Sequence, residues 1–162
     1  VSADVTVRPA RAADVPALAE LCAVVHELHV SARPAVFNPV DADGARRFFH
    51  FYLAEALGPV LLAEVDGAPA GYVVVRRQSS PGNIFAKERR WLEIDQLAVG
   101  PAFRRRGVGR ALVDRVAAIA AEGGFGELEL NTWAFNTEAH AFFERVGFSP
   151  RTLKFARTLA PQ

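Results

Sequence analysis

Cysteine is almost missing from this chain: Cys22 is the only one in 162 residues. A single thiol excludes an internal disulfide and any cysteine-built zinc cluster. Cys22 falls on the apolar stripe of an expected helix, which gives it a packing role rather than a nucleophilic one. Methionine is absent, and the only lysines are Lys87 and Lys154, so the other cations are arginines. Charge of one sign is lacking too. With 19 Lys and Arg against 18 Asp and Glu, the net charge is +1. That balance gives no general attraction to nucleic acid or to a membrane surface. Apolar runs stop short of the roughly 20 residues of a membrane span, and no N-terminal signal pattern is visible. These features together point to the cytoplasm. Repeats, low-complexity blocks and linkers are missing as well.

What is present is a good core. Half of the chain is hydrophobic, with twelve Phe, and its length suits one globular domain over residues 1–162. Residues 5–7 alternate like a strand. Asp14 reads as an N-cap with Pro16 in the first turn. The helix it opens carries Leu18, Leu21, Cys22, Val25 and Leu28 on one face. A second helix starts at Asp41 or Asp43 and runs through Leu57, rich in aromatics (Phe48, Phe49, Phe51, Tyr52), with Gly58-Pro59 as its stop. Residues 60–65 and 70–75 read as strands joined at Asp66-Gly67, a hairpin signal. A polar loop covers 78–90 and a strand 91–99. A helix over 108–122 buries Val108, Leu112, Val116 and Ile119. A strand at 128–132, a helix at 137–146 closed by Gly147, and a last strand at 152–159 follow. The order β-α-α-β-β-β-α-β-α-β predicts a mixed α/β domain with a central sheet.

Between strand 91–99 and helix 108–122 stands Arg104-Arg105-Arg106-Gly107-Val108-Gly109. A helix N-terminus carries orphan N–H groups and partial positive charge, which suits a phosphate or pyrophosphate. Gly107 and Gly109 remove side chains where a ligand would touch the backbone, and the arginines add charge nearby. Further on come Leu128-Glu129-Leu130-Asn131-Thr132-Trp133, then Asn136-Thr137-Glu138-Ala139, then Phe142-Phe143-Glu144-Arg145-Val146-Gly147-Phe148. Asn136 can cap the helix, Ala139 keeps its surface low, and Gly147 with Phe148 can close it.

These two motifs, in this order and on these elements, resemble the GNAT superfamily of N-acetyltransferases. The resemblance is one of motif over residues 91–148 and of element type over 1–57. It implies a cleft where two parallel strands, here 91–99 and 128–132, splay apart to admit the arm of acetyl-coenzyme A. It implies that Leu97, Ala98 and Val99 present backbone groups to that arm, with the Leu97 N–H binding the carbonyl oxygen as negative charge develops. Arg104 occupies the first position of the pyrophosphate motif. Arg105, Arg106, Gly107, Val108, Gly109 and Arg110 would wrap the pyrophosphate, and Asn136 would touch the coenzyme arm. Glu93 takes the position of a general base, needed because an ammonium has no lone pair to attack a carbonyl; Asp95 is the alternative. By simple alternation Glu93, Asp95, Leu97 and Val99 share a face.

One position departs from the pattern. Phe143 stands where many members carry a tyrosine that protonates the departing thiolate, a job a phenyl ring cannot do. Tyr52 and Tyr72, the only tyrosines, are possible substitutes without positional support. The resemblance implies direct acetyl transfer to a primary amine, of a small molecule or a peptide, without a covalent intermediate. The competing reading, which Phe143 motivates, is a non-catalytic acyl-coenzyme A-binding or sensing module on the same fold. A nucleic-acid-binding reading of the Arg104–Arg106 cluster finds no support in the net charge. His26-Glu27-Leu28-His29 misses the His-Glu-x-x-His spacing by one residue and has no evident third ligand, so no metal is expected; His50 and His140 carry no motif. Asp41, Asp43, Glu93 and Asp95 suggest an acceptor side that favours a cationic amine, while Lys87, Arg89 and Arg90 argue for an acidic one. The first two helices and the 78–90 loop would build that side. The acceptor's identity and the oligomeric state, a homodimer included, stay open.

Overall fold

The computed structural model describes residues 4–159. The chain divides at Asn131/Thr132 into two compact units. In the first, five strands lie side by side in chain order: β1 (Val5–Pro9), β2 (Val60–Val65), β3 (Ala68–Ser80), β4 (Arg89–Val99) and β5 (Glu127–Leu130). All neighbours pair antiparallel except β4 and β5, which are parallel. A parallel pair needs a crossover, and α3 (Val108–Glu122) supplies it. Helices α1 (Val15–Ala32) and α2 (Ala42–Glu55) fill the connection between β1 and β2.

Alternation sorts the sheet's side chains. Val60, Leu62, Tyr72, Val74 and Ala98 face one way and form a core with Val15, Leu18, Phe49 and Tyr52 of α1 and α2. The opposite face, with Val73 and Leu61, receives α3 through Val108, Leu112, Val113 and Val116, all buried. Gly71 lets α3 come close: a Cβ there would lie 3.0 Å from Val108 Cγ1 and 2.6 Å from the Ala98 carbonyl oxygen.

Several local devices differ from the sequence expectations. Asp14 precedes α1 but does not cap it with its side chain. It is drawn instead to Arg8 and to the Arg11 N–H, at 2.8 and 2.7 Å. The apolar stripe of α1 holds through Leu18, Leu21, Cys22 and Val25, but Leu28, one turn on, is half exposed. The helical stretch from Ala12 to Ala32 is 21 residues long and, by length and composition alone, apolar enough to cross a membrane. Within it Val15, Leu18 and Ala19 are packed into the sheet core. Asp41 is the cap of α2, accepting the Gly44 N–H. That helix stops two residues before Leu57, because Ala56 turns left-handed at φ 48°. Gly58 serves a different need, since any Cβ there would strike the Val75 carbonyl.

The β2–β3 hairpin turns through Asp66 and Gly67, both at positive φ (52° and 80°), as a two-residue turn matched to strand twist requires. The β3–β4 hairpin is longer than expected. Its arms reach Ser80 and Arg89, so the loop shrinks to 81–88. Polar residues 78–80 and 89–90 alternate like their apolar neighbours and extend the ladder.

The second unit holds α4 (Thr137–Arg145), capped by Asn136 Oδ1 on the Ala139 N–H at 3.2 Å. Gly147, at φ 99°, closes it. The Phe148 N–H reaches the Phe143 carbonyl at 3.0 Å and the Gly147 N–H reaches Glu144 at 3.1 Å, the paired closure of a helix C-terminus. The Phe148 ring folds back on Phe143, 5.6 Å between centroids. The strand expected at 152–159 is not formed. Leu153, Phe155 and Leu159 alternate as a strand would, but each is more than three-quarters exposed, and a strand without a partner has no ladder to join.

Candidate active site

The β4–β5 ladder ends at the pair Ile94–Leu130, while β4 runs on to Val99. Residues 95–99 therefore keep β3 on one edge and are released by β5 on the other. Their register decides which groups point to the open edge. Gly100 donates to the Ala70 carbonyl at 2.9 Å, which makes 70/100 a hydrogen-bonded pair. Counting back by twos, 72/98 and 74/96 are bonded pairs as well. The N–H and C=O of Ala98 and Gln96 are thus committed to β3. Those of Leu97 and Val99 point to the open edge. Leu97 and Val99 thus have main-chain groups on that edge, whereas Ala98 has none to spare there.

A bulge in β4 changes the faces. Val74 opposes Gln96 but Val75 opposes Ile94, so Asp95 is an extra residue without a partner. Such an insertion reverses the alternation beyond it. Glu93, opposite Arg76, comes onto the same face as Val74, Gln96 and Ala98, toward α1 and α2. Leu97 and Val99 lie on the other face with Val73 and Gly71. The shared face expected for Glu93, Asp95, Leu97 and Val99 is therefore split: the carboxylates turn to the helices α1 and α2, and the apolar pair turns to α3.

Arg76, which sequence reasoning passed over, joins the two carboxylates. Its Nη2 lies 3.1 Å from Glu93 Oε1 and 2.8 Å from Asp95 Oδ1. The one signal for it is an Arg-Arg pair ending the apolar run of β3. Tyr52 lies in the same electrostatic surroundings. Its phenol is pushed up to about 12 by burial and then by the Asp95 charge, and it donates to the Val75 carbonyl at 3.4 Å. Tyr72 donates to Gln96 Oε1 at 2.9 Å, and burial, with Cys22 beside it, holds its phenol well above the usual range. Burial also raises the Cys22 thiol. Both tyrosines are at least 96 % buried in the core, so neither is free to replace a phenol at position 143.

After Val99 the chain makes a 3₁₀ turn at Pro101–Phe103 and then a tight loop. Arg105 and Gly107 sit at φ 60° and 82°. Gly107 occupies the N-cap position and has no side chain to offer, so α3 starts uncapped. The first helical bond runs from Ala111 to Gly107. The N–H groups of Val108, Gly109 and Arg110 are thus left without a carbonyl inside the helix. Val108 is buried and anchors this end, while Arg104, Arg105 and Arg106 are exposed around it. Arg106 leans over Phe103 at 5.9 Å, and Arg110 lies 3.6 Å from Asp114. A left-handed turn that ends in a side-chain-free N-cap and is ringed by guanidinium groups matches the chemistry of a pyrophosphate.

The remaining expected residues take other places. Asn136 has its Oδ1 occupied by the helix cap. Phe143 is half-buried in its own unit, against Phe142 and Phe148. Asp43 pairs with Arg46, and Asp41 caps α2, so neither is a free charge for an acceptor. Arg89 is committed to Glu127 and Glu129 and stacks on Trp91; Arg90 covers Phe125. His26 and His29 stack at 5.9 Å beside Phe37, and His26 Nε2 meets the Asn38 carbonyl at 2.9 Å. A separate shallow hollow lined by Ala17, Glu20, Leu21, Val24, Pro69 and Pro101 holds a single ionisable group.

Known proteins resemble this chain in sequence and in fold. The chain is 31% identical over 107 residues to an uncharacterised N-acetyltransferase of Methanocaldococcus jannaschii, covering 66% of this chain and 46% of that protein. It is 34% identical over 90 residues to L-2,4-diaminobutyric acid acetyltransferase of Nocardia farcinica, covering 55% of this chain and 42% of that one. The chain thus spans less than half the length of these two relatives. Its fold matches a solved Bacillus halodurans protein at a TM-score of 0.85 and 24% identity, over 96% of this chain and 99% of the other. The acetyltransferase (GNAT) family matches residues 23–148, which include the open strand edge, the uncapped helix and the capped α4. The chain belongs to the GNAT family of acetyltransferases, which are acyltransferase enzymes.

Proposed function

We propose that this protein transfers the acetyl group of acetyl-coenzyme A to a primary amine by direct attack. The observation that carries the reading is the junction of an open strand edge at Leu97 and Val99 with the uncapped start of α3. The first can pair with an amide-bearing arm as an added strand does; the second can receive a pyrophosphate. Val108, Gly109 and Arg110 would donate main-chain N–H groups to it. Arg104, Arg105 and Arg106 would supply charge around the Gly107 turn.

In the reaction the amine nitrogen attacks the thioester carbonyl carbon. The N–C bond forms, the C–S bond breaks, and the thiolate leaves. The Leu97 N–H would hold the oxygen that becomes negative. Glu93, or Asp95 beside it, would take the proton that the ammonium must lose. With Phe143 in place of a phenol, the thiolate would leave without a side-chain acid, and the second proton that the nitrogen sheds as the amide forms would pass through water to the thiolate. A thiol of pKa about 8.5 is a fair leaving group.

The acceptor is a cationic amine in this reading. Glu93 and Asp95 outnumber Arg76, the cation that bridges them. The relative named for L-2,4-diaminobutyrate also acts on an amine. In this reading acetyl-coenzyme A is the donor, no metal takes part, and the protein works in the cytoplasm. The whole of 1–162 acts as one domain, with an amine rather than a nucleic acid or membrane as its partner.

Thiol release from acetyl-coenzyme A, screened over amines, amino acids and peptides, is the test. Turnover with amines and little with acidic amino acids is expected. Tight coenzyme binding with no thiol release from any acceptor would favour the sensing-module reading that Phe143 motivates.

A further inference from the structure

We infer that Arg76 is a positioning residue for the proton-accepting carboxylate. The inference rests on the reading of Glu93, or Asp95, as the base. The register sets Arg76 directly opposite Glu93 on the neighbouring strand, and the bulge adds Asp95 to the same face. Two carboxylates so placed repel each other unless a cation lies between them. The guanidinium fills that place through one nitrogen, Nη2, at 3.1 Å from Glu93 Oε1 and 2.8 Å from Asp95 Oδ1. Each carboxylate spends one oxygen on this bridge. Its second oxygen takes no part in the bridge and, in this reading, meets the acceptor. Both acids are mostly shielded, with side chains 17% and 27% exposed, while Arg76 keeps 41%. A rigid, planar guanidinium fixes a partner's rotamer better than a flexible ammonium does. Arg76 touches no reacting atom in this scheme. It sets the angle at which the base meets the amine, and a small misplacement of a catalytic group is costly to rate.

The experiment compares wild type, Arg76→Lys and Arg76→Gln, alone and combined with Glu93→Gln plus Asp95→Asn. The probe acceptors are n-butylamine, 1,4-diaminobutane and L-2,4-diaminobutyrate. Acetyl-coenzyme A affinity is measured by calorimetry alongside kcat and the acceptor KM. Arg76→Gln is expected to lower kcat about 10- to 100-fold with coenzyme affinity unchanged, and Arg76→Lys to fall between it and wild type. In the background without the two acids, Arg76→Gln should have no further effect on kcat, as for groups acting as a unit. A kcat equal to wild type in Arg76→Gln, or in Arg76→Lys if the glutamine variant does not fold, overturns the inference. So does an Arg76→Gln loss that persists undiminished without the acids, since that marks a purely structural role. Wild type that binds the coenzyme but turns over none of the three amines overturns the acetyl-transfer reading instead, and the positioning role with it.

Discussion

Gly109 and Gly107 lie two residues apart and constrain the chain differently. Gly107 is held at φ 82°, where any side chain is strained; replacing it would disturb the turn and the binding together. Gly109 lies inside the regular helix α3, so a valine fits its backbone. The new side chain would stand where a pyrophosphate must approach the N–H groups. Gly109→Val is expected to keep its melting behaviour and to lose acetyl-coenzyme A affinity at least about tenfold, the equivalent of one lost charged hydrogen bond. Calorimetry on both forms checks this, and equal affinity would remove the pyrophosphate assignment. Phe143 invites the opposite change. Phe143→Tyr adds a hydroxyl at the family's acid position without altering the half-buried contact with Phe148. It should fold normally and raise turnover on the acidic side of the pH–rate profile. Loss of coenzyme binding in this variant would mean that the position is committed by shape, not chemistry.

At the scale of elements, the helices and most strands were legible because each carries its own period and its own stop signal. The α3 boundaries follow from Gly107 before and Gly123 after an apolar stripe. The closure of α4 follows from Gly147. What the sequence concealed depends on a second strand. The bulge at Asp95 has no composition of its own; it exists only as a mismatch between β3 and β4, yet it moves Glu93 to the other face from Leu97. The bridging role of Arg76 was hidden for the same reason. The missing last strand is the converse case, a correct alternation with nothing to pair against. Asp14 shows how an ion pair can claim a capping residue. Arg8 is its main partner, holding the Asp14 carboxyl below the usual carboxylate range, and Glu64 shares the same guanidinium. Because the folded value is the lower one, this stabilisation is complete above about pH 4, where the unfolded carboxyl is also ionised. It is lost as the pH falls through the folded value. Asp14→Asn should therefore cost about 1–3 kcal/mol at pH 7 and much less near pH 2. Urea melts at both pH values measure the difference; the same loss at both would mean that the hydrogen bond from the Arg11 N–H, not the charge, matters.

For the whole molecule, stability and coenzyme binding are linked. The second unit is a segment of fewer than about 40 residues, a size that seldom folds alone, and α4 has no fully buried residue. A single unfolding transition is expected in calorimetry, as one domain requires; two separated transitions would divide the chain into independent domains. The proposed groups at the open edge of β4 and at the start of α3 exist as a site only in the folded state. Unfolding scatters the N–H groups of Leu97, Val108, Gly109 and Arg110. Acetyl-coenzyme A that binds the native state alone must raise stability by mass action, about 2.7 kcal/mol at one hundred times its dissociation constant. For a chain of this length that corresponds to an increase of about 5–11 °C in Tm. The increase should grow with the logarithm of coenzyme concentration, and Gly109→Val should shift the same curve to higher concentration without changing the unliganded Tm. Differential scanning fluorimetry over a coenzyme titration resolves both features. A wild-type Tm that is independent of acetyl-coenzyme A would leave the uncapped helix without its ligand, and the acetyl-transfer reading without its donor.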